Sequence, residues 1–291
     1  MSDGPTAVSD DWTPSARELE RAAYRRRRAR RSLLVAAAST AGVTTLLAWA
    51  LVSAPGWPRV RDSFLSWDAA RRSLPDVAVG LWLNLRMFAV VAVAMLLLGL
   101  AVAVARQLPG PVFWPVRALA TAYVDLFRGM PLLVLLYLVG FGVAGLRLQG
   151  VPASATVLGG VALTLSYSAY VAEVFRAGIE SVHPAQRAAG RALGLTSGQT
   201  LRLVVLPQAV RRVVPPLLND LASLIKDSGL VSVLGIPLDA VRYAQIWSAQ
   251  LANFTPYVVA GALFMLVTIP LTRLTDALAR RRGYLPQGAH L

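Results

Sequence analysis

Two histidines, one lysine and no cysteine leave this 291-residue chain few routes to covalent chemistry. His183 and His290 alone do not make a metal cluster. Without cysteine there is no thiolate nucleophile, disulfide or sulfur-rich metal site. The lysine, Lys226, lies in SLIKDSGL, so no Gly-x-x-x-x-Gly-Lys-Ser/Thr phosphate loop exists. Any ATP hydrolysis that drives this chain must come from a separate polypeptide. What remains is charge pairing and the handling of polar solutes. Asp125 and Arg128 are three residues apart, as are Glu173 and Arg176. That spacing puts each pair on one helical face, where the two are expected to neutralise one another as structural ion pairs near a membrane boundary. Asn219, Ser223 and Lys226 recur at i, i+4, i+7, and Ser166 and Tyr170 are four apart. These polar stripes can line a path for a polar solute. Hydrogen bonding between helices, or contact between two copies of the chain, accounts for them equally well.

The elements that must hold these groups are hydrophobic. The chain is 56% hydrophobic and 15% charged, which is the composition of a membrane protein. Its formal charge of +14 does not indicate nucleic acid, because the arginines cluster beside apolar runs as they do on the cytoplasmic flanks of membrane helices. Residues 1–32 read as a basic cytoplasmic tail whose arginines touch anionic membrane lipid. Residues 33–52 are uncharged and long enough for one crossing, an extra N-terminal helix retained as an anchor. Residues 53–80 read as an external loop containing Arg59, Arg61, Arg71 and Arg72. A membrane core at 81–275 holds further spans near 81–105, 118–146, 151–176, 213–238 and 253–273. Gly129 and Pro131 are placed to bend the third. Residues 276–291 form a cytoplasmic tail. The expected fold is an all-α, polytopic transmembrane bundle of about six spans, with both termini on the arginine-rich side.

Between the fourth and fifth spans runs HPAQRAAGRALGLTSGQTLRLVVLP, residues 183–207. Pro184 suits a first helical turn, and Gly194 is placed to end that helix in the left-handed conformation. Thr196 with Gln199 reads as a capping box opening a second helix, which Pro207 is expected to close. Leu201, Val204 and Val205 share a face of it. The spacing resembles the cytoplasmic coupling loop of ABC importer permeases: Glu-Ala-Ala, three residues, Gly, nine residues, then Ile-x-Leu-Pro. Here Ala188, Ala189 and Gly190 hold the triplet, Gly194 the glycine, and Val204 to Pro207 the ending. Ala188 stands where that family has Glu, and Gly190 where it has Ala. YVDLFRGMPLL at 123–133, SAYVAEVFRAGIESV at 168–182 and SLIKDSGLVSVLG at 223–235 resemble segments of the polar amino acid branch, so the likeness covers roughly 80–275.

The resemblance implies a five-helix permease core plus the extra first span, in the plasma membrane of a prokaryote. It implies two ATPase subunits that carry ATP-Mg, a second permease subunit, identical or not, and an external solute-binding protein delivering a polar amino acid. The chain itself would bind no cofactor and act as no enzyme. Arg187, Ala188, Ala189, Gly190, Arg191, Gly194, Leu206 and Pro207 are the expected ATPase-docking residues, and Ser166, Tyr170, Asn219, Ser223 and Lys226 the expected substrate path. The alternative is a secondary transporter of small polar solutes driven by an ion gradient. Such carriers usually show two related halves with broken helices, and no internal repeat is visible.

Overall fold

The computed structural model describes residues 15–147, 149–150, 152, 154–235 and 238–281. The first fourteen residues, Arg282 and His290 lie outside the described residues. Those described are helical with no strand, and they fall into two units, 1–61 and 62–291.

The first unit is built on α1 (Ala16–Val52), a single helix of 37 residues opened by a capping box between Ser15 and Glu18. The described part of the tail from Ala16 onward and the first span are therefore one uninterrupted helix, and its apolar residues Leu33, Leu46 and Trp49 are all exposed. Helix α2 (Trp57–Phe64) follows.

The second unit is organised around α3 (Trp67–Arg106), with Ser66 as its N-cap. The stretch expected as an external loop, 53–80, is thus largely helix. Pro75 does not break α3 there. Asp62 and Ser63 accept hydrogen bonds from Asn253 and Phe254 through their carbonyls, and Phe64 stacks on Phe254. Next come α4 (Trp114–Gly129) and α5 (Leu132–Tyr137). They are bent from one another by 105° at Met130–Pro131, where Met130 is extended because a residue before proline avoids the helical region. α6 (Ala155–Glu180) is followed by α7 (Pro184–Ala192), α8 (Ser197–Thr200) and α9 (Leu206–Asp227). A 3-10 turn (Ser228–Leu234) leads to α10 (Ala240–Leu251) and α11 (Thr255–Arg281).

By length and hydropathy, four of these helices can cross a membrane, or five if the bent pair counts as one span. The remaining expected crossing, 213–238, falls mainly on α9. That helix fails the test because Arg211, Arg212, Asp220, Lys226 and Asp227 interrupt its apolar residues.

The core is the seam of α3 and α6. Met87, Val91 and Met95 from α3 pack with Leu163, Tyr167 and Val171 from α6, closed by Leu136, Leu224 and Val231. A second cluster joins Val77 and Leu81 to Ala240, Ala244 and Ala260. There α3 touches the α10 N-terminus through Gly80. A Cβ on Gly80 would lie 2.5 Å from the Ala240 nitrogen, so no side chain fits without separating two helices.

Candidate functional site

Residues 183–207 form a compact hairpin whose arms are defined by local chemistry. His183 caps α7, its Nδ1 accepting from the Ala185 N–H at 3.2 Å, and Pro184 occupies the first turn. Gly194 ends the arm with φ +81°, which a β-carbon disfavours. Thr196 and Gln199 then make a reciprocal capping box at 2.9 and 3.2 Å. Pro207 does not close the second arm. Helical backbone continues through Leu201–Val205 as a wide π turn into α9. The proline ring would press on the carbonyl four residues earlier, and the wider turn relieves that clash. Val182 and Val205 are 1% exposed and pack with Ala209 and Ile179, fixing the hairpin base to α6 and α9. Arg212 donates to the Ser181 carbonyl across the same joint.

Arg187, Ala188, Ala189, Arg191, Gly194, Leu206 and Pro207 are exposed on this hairpin. Leu193, which the sequence reading did not assign to docking, is 83% exposed at its tip. Arg187 donates to the Ile179 carbonyl at 3.0 Å. Gly190 is a correction: it is buried against Thr200, where a Cβ would lie 2.9 Å from the threonine methyl. Its smallness serves closure of the hairpin, and it offers no surface to a partner.

A cleft of ≈ 410 Å³ lies about midway along α6, bounded by the 129–132 break, α6 and α9. Ser166, Tyr170 and Ser223 line it. Asn219 and Lys226 do not; they are exposed on α9 outside the lining. The α9 face turned to the cleft is instead Asp220, Ser223 and Asp227, one residue on from the expected stripe. Arg128 and Tyr167 complete the polar lining. Tyr167 Oη donates to Asp227 at 2.6 Å, and the Arg128 guanidinium stacks 5.6 Å over the Tyr170 ring. Asp220 Oδ2 is buried without a hydrogen-bond partner. The i, i+3, i+7 spacing of Asp220, Ser223 and Asp227 is present in the sequence and was the available signal.

Beside the cleft, Glu173 gathers three guanidiniums. Arg176 bonds it with Nε at 3.1 Å, Arg106 reaches it at 2.9 Å and Arg128 stands at 4.0 Å. Arg176 also bridges to Glu180 at 2.5 Å. The expected Asp125–Arg128 pair does not form. Asp125 faces a separate cleft with Arg117 and Glu180, because α6 offers Arg128 a better-placed carboxylate. Near the middle of α3, Asn84 is 1% exposed and donates to Ser228 and Asp239, at 3.2 and 3.4 Å, while its oxygen accepts from the Ala240 N–H at 3.1 Å. This joint escaped the sequence reading, although an asparagine inside GLWLNLRMF was its mark. Among the described residues no cluster of three or more His, Asp or Glu is placed to hold a metal.

Comparison with known proteins bears on the family and the fold. The family described as binding-protein-dependent transport system inner membrane component matches residues 95–284. The probable glutamine ABC transporter permease protein GlnM of Bacillus subtilis (strain 168) is 40% identical over 187 residues, covering 63% of this chain and 82% of its own. The arginine transport system permease protein ArtQ of the same organism is 32% identical over 218 residues, covering 75% and 97%. A crystal structure described as an amino acid ABC transporter with histidines aligns with a TM-score of 0.68 at 32% identity, over 74% of this chain and 98% of that one.

Proposed function

Because this chain belongs to the family of inner membrane components of binding-protein-dependent transport systems, we propose that its cleft passes a cationic amino acid. The protein is the membrane-spanning permease subunit of an ATP-driven amino acid importer, a transport subunit of the inner membrane. Partner subunits supply the remaining parts: two ATPases that bind ATP-Mg, a second permease, and an external solute-binding protein. Both termini and the hairpin face the cytoplasm in this reading, consistent with the arginine distribution.

The observation that carries the substrate class is the charge pattern of the cleft. One guanidinium, Arg128, faces two carboxylates, Asp220 and Asp227. An amino acid with a basic side chain carries the complement: one carboxylate and two cations. Its carboxylate pairs with Arg128, while its ammonium and side-chain cation meet the α9 carboxylates. The free Asp220 Oδ2 is the group still lacking a partner. Tyr167 holds Asp227 in place, and Ser166 and Ser223 add neutral hydrogen-bonding groups. A neutral amide side chain would leave one carboxylate uncompensated.

The hairpin is the mechanical link. ATP-driven closure of the partner subunits moves its exposed face, including Ala188, Ala189, Arg191 and Leu193, and the rigid joint at Val182, Val205 and Ala209 transmits that motion to α6 and α9. With Ala in place of Glu at 188, contact there rests on close packing of small residues.

The test is uptake by proteoliposomes holding the permease with its ATPase and binding protein. Asp220→Asn is expected to cut arginine or lysine uptake by roughly tenfold or more, the loss of one charge-assisted contact, and to spare or raise glutamine uptake. Unchanged arginine uptake, or transport of glutamine alone by the unaltered protein, overturns the cationic reading.

A further inference from the structure

We infer that the groove between α3 and α6 is a binding site for one phospholipid, with its phosphate on Arg86 and an acyl chain between the helices. The groove has a volume of ≈ 730 Å³ and is walled by Val90, Ala94 and Leu98 of α3 and by Val157 and Val161 of α6. Its polar exceptions are few. Thr164 already donates to the Gly160 carbonyl at 2.8 Å, leaving Arg86 and Thr156 at the same end. A dry, open channel of this kind suits a hydrocarbon chain and gives a hydrated solute nothing to bond.

Arg86 determines the ligand class. Its guanidinium stacks 5.7 Å over Trp82, and no carboxylate pairs with it among the described residues. Residues 87–105 carry no charge, so Arg86 and Arg106 stand twenty residues apart at the two edges of the apolar run. At ~1.5 Å per residue that is about 30 Å, the thickness of the hydrocarbon core. Arg86 is thereby at the phosphate level of the leaflet away from the hairpin, stacked on the aromatic residue that such an interface favours. From Arg86 to Leu98 the groove runs about 18 Å along α3, enough for the acyl chain of one leaflet. An unpaired cation at the mouth and an apolar trough of one chain length are the complement of a glycerophospholipid. The site depends on the membrane placement of α3, whatever solute is transported.

The experiment measures phospholipid bound per permease by native mass spectrometry of the intact transporter, purified in mild detergent from vesicles of phosphatidylethanolamine and phosphatidylglycerol. One phospholipid per permease is expected to survive extensive detergent exchange. Arg86→Gln should lower its retention by roughly tenfold. Gly160→Leu should displace it with Arg86 intact, since a Cβ at 160 meets only Val91 at an ordinary 3.7 Å and the longer side chain enters the groove. Both variants are to elute as the same assembly as the unaltered protein. Absence of retained phospholipid, or unchanged retention in either variant, overturns the site. The chain has no cysteine, so Val90→Cys introduces a single thiol; efficient disulfide formation between two copies in native membranes also overturns it, showing a subunit interface in its place.

Discussion

At the scale of single residues, Gly194 and Asn84 are constrained in opposite ways, one by its backbone and the other by its side chain. Gly194 holds φ +81° at the turn of the hairpin with open space around it. Any cost of a side chain there is therefore backbone strain, roughly 1–2 kcal/mol, and a β-branched residue bears it worst. Gly194→Val is expected to leave the protein in the membrane with its ATPase active but to lower solute moved per ATP by several-fold. Uptake at the unaltered rate, measured together with phosphate release, would remove Gly194 from the coupling pathway. Asn84 is the reverse case, a residue whose side chain is fully used. Asn84→Leu keeps the branching and the heavy-atom count of the side chain, adds some bulk, and strips Asp239 Oδ2 and the Ala240 N–H of their partner. A buried polar group left unpaired costs about 1–3 kcal/mol. Thermal unfolding of the purified variant should begin several degrees lower, and an unchanged midpoint would mean water replaces the amide.

Elements show how a proline acts at a distance from its own position. Pro207 sits at the start of α9, and the π turn at Leu201–Val205 precedes it. The wide turn holds one more residue than an α turn, so it rotates everything upstream relative to α9. Pro207→Ala restores the N–H and removes the clash, which favours an ordinary turn. The hairpin would then swing by about 100°, one residue of helix. Coupled uptake is expected to fall while thermal stability holds or rises; equal uptake with intact stability would show that the turn is not tuned for coupling. The break at Met130–Pro131 has a parallel role: the 105° bend puts residues 128–132 in the wall of the cleft.

For the whole molecule, the question is which face of the membrane each end of the bundle meets. Absence of native cysteine makes single-cysteine labelling direct. Ser197→Cys, in the hairpin, should react with a membrane-impermeant maleimide only after cells are opened, whereas Arg71→Cys, exposed at the start of α3, should react in intact cells. Labelling of Ser197→Cys from outside would invert the topology and remove the hairpin from reach of a cytoplasmic ATPase. The Glu173 cluster, with Arg106, Arg128 and Arg176 around one carboxylate, ties α3, α4 and α6 together at the hairpin end of the bundle. The Asn84 joint ties α3, the 3-10 turn and α10 together.

The helical membrane character, the hairpin and its turn were legible in the sequence because each follows from neighbours a few residues apart. Apolar runs of crossing length, the Thr196–Gln199 box and a glycine where the backbone turns left-handed need no distant partner to be specified. Rotation of α9 was not legible, because packing on α6 and α11 selects the face turned inward. That selection put Asp220 and Asp227 in the cleft and left Asn219 and Lys226 outside it. Arg128 likewise followed Glu173 of a neighbouring helix over Asp125 of its own, since tertiary packing brought that carboxylate within reach. Gly190 was read as a docking surface from its place in the motif. Only the fold of the second arm over it, bringing Thr200 into contact, decided that it is interior.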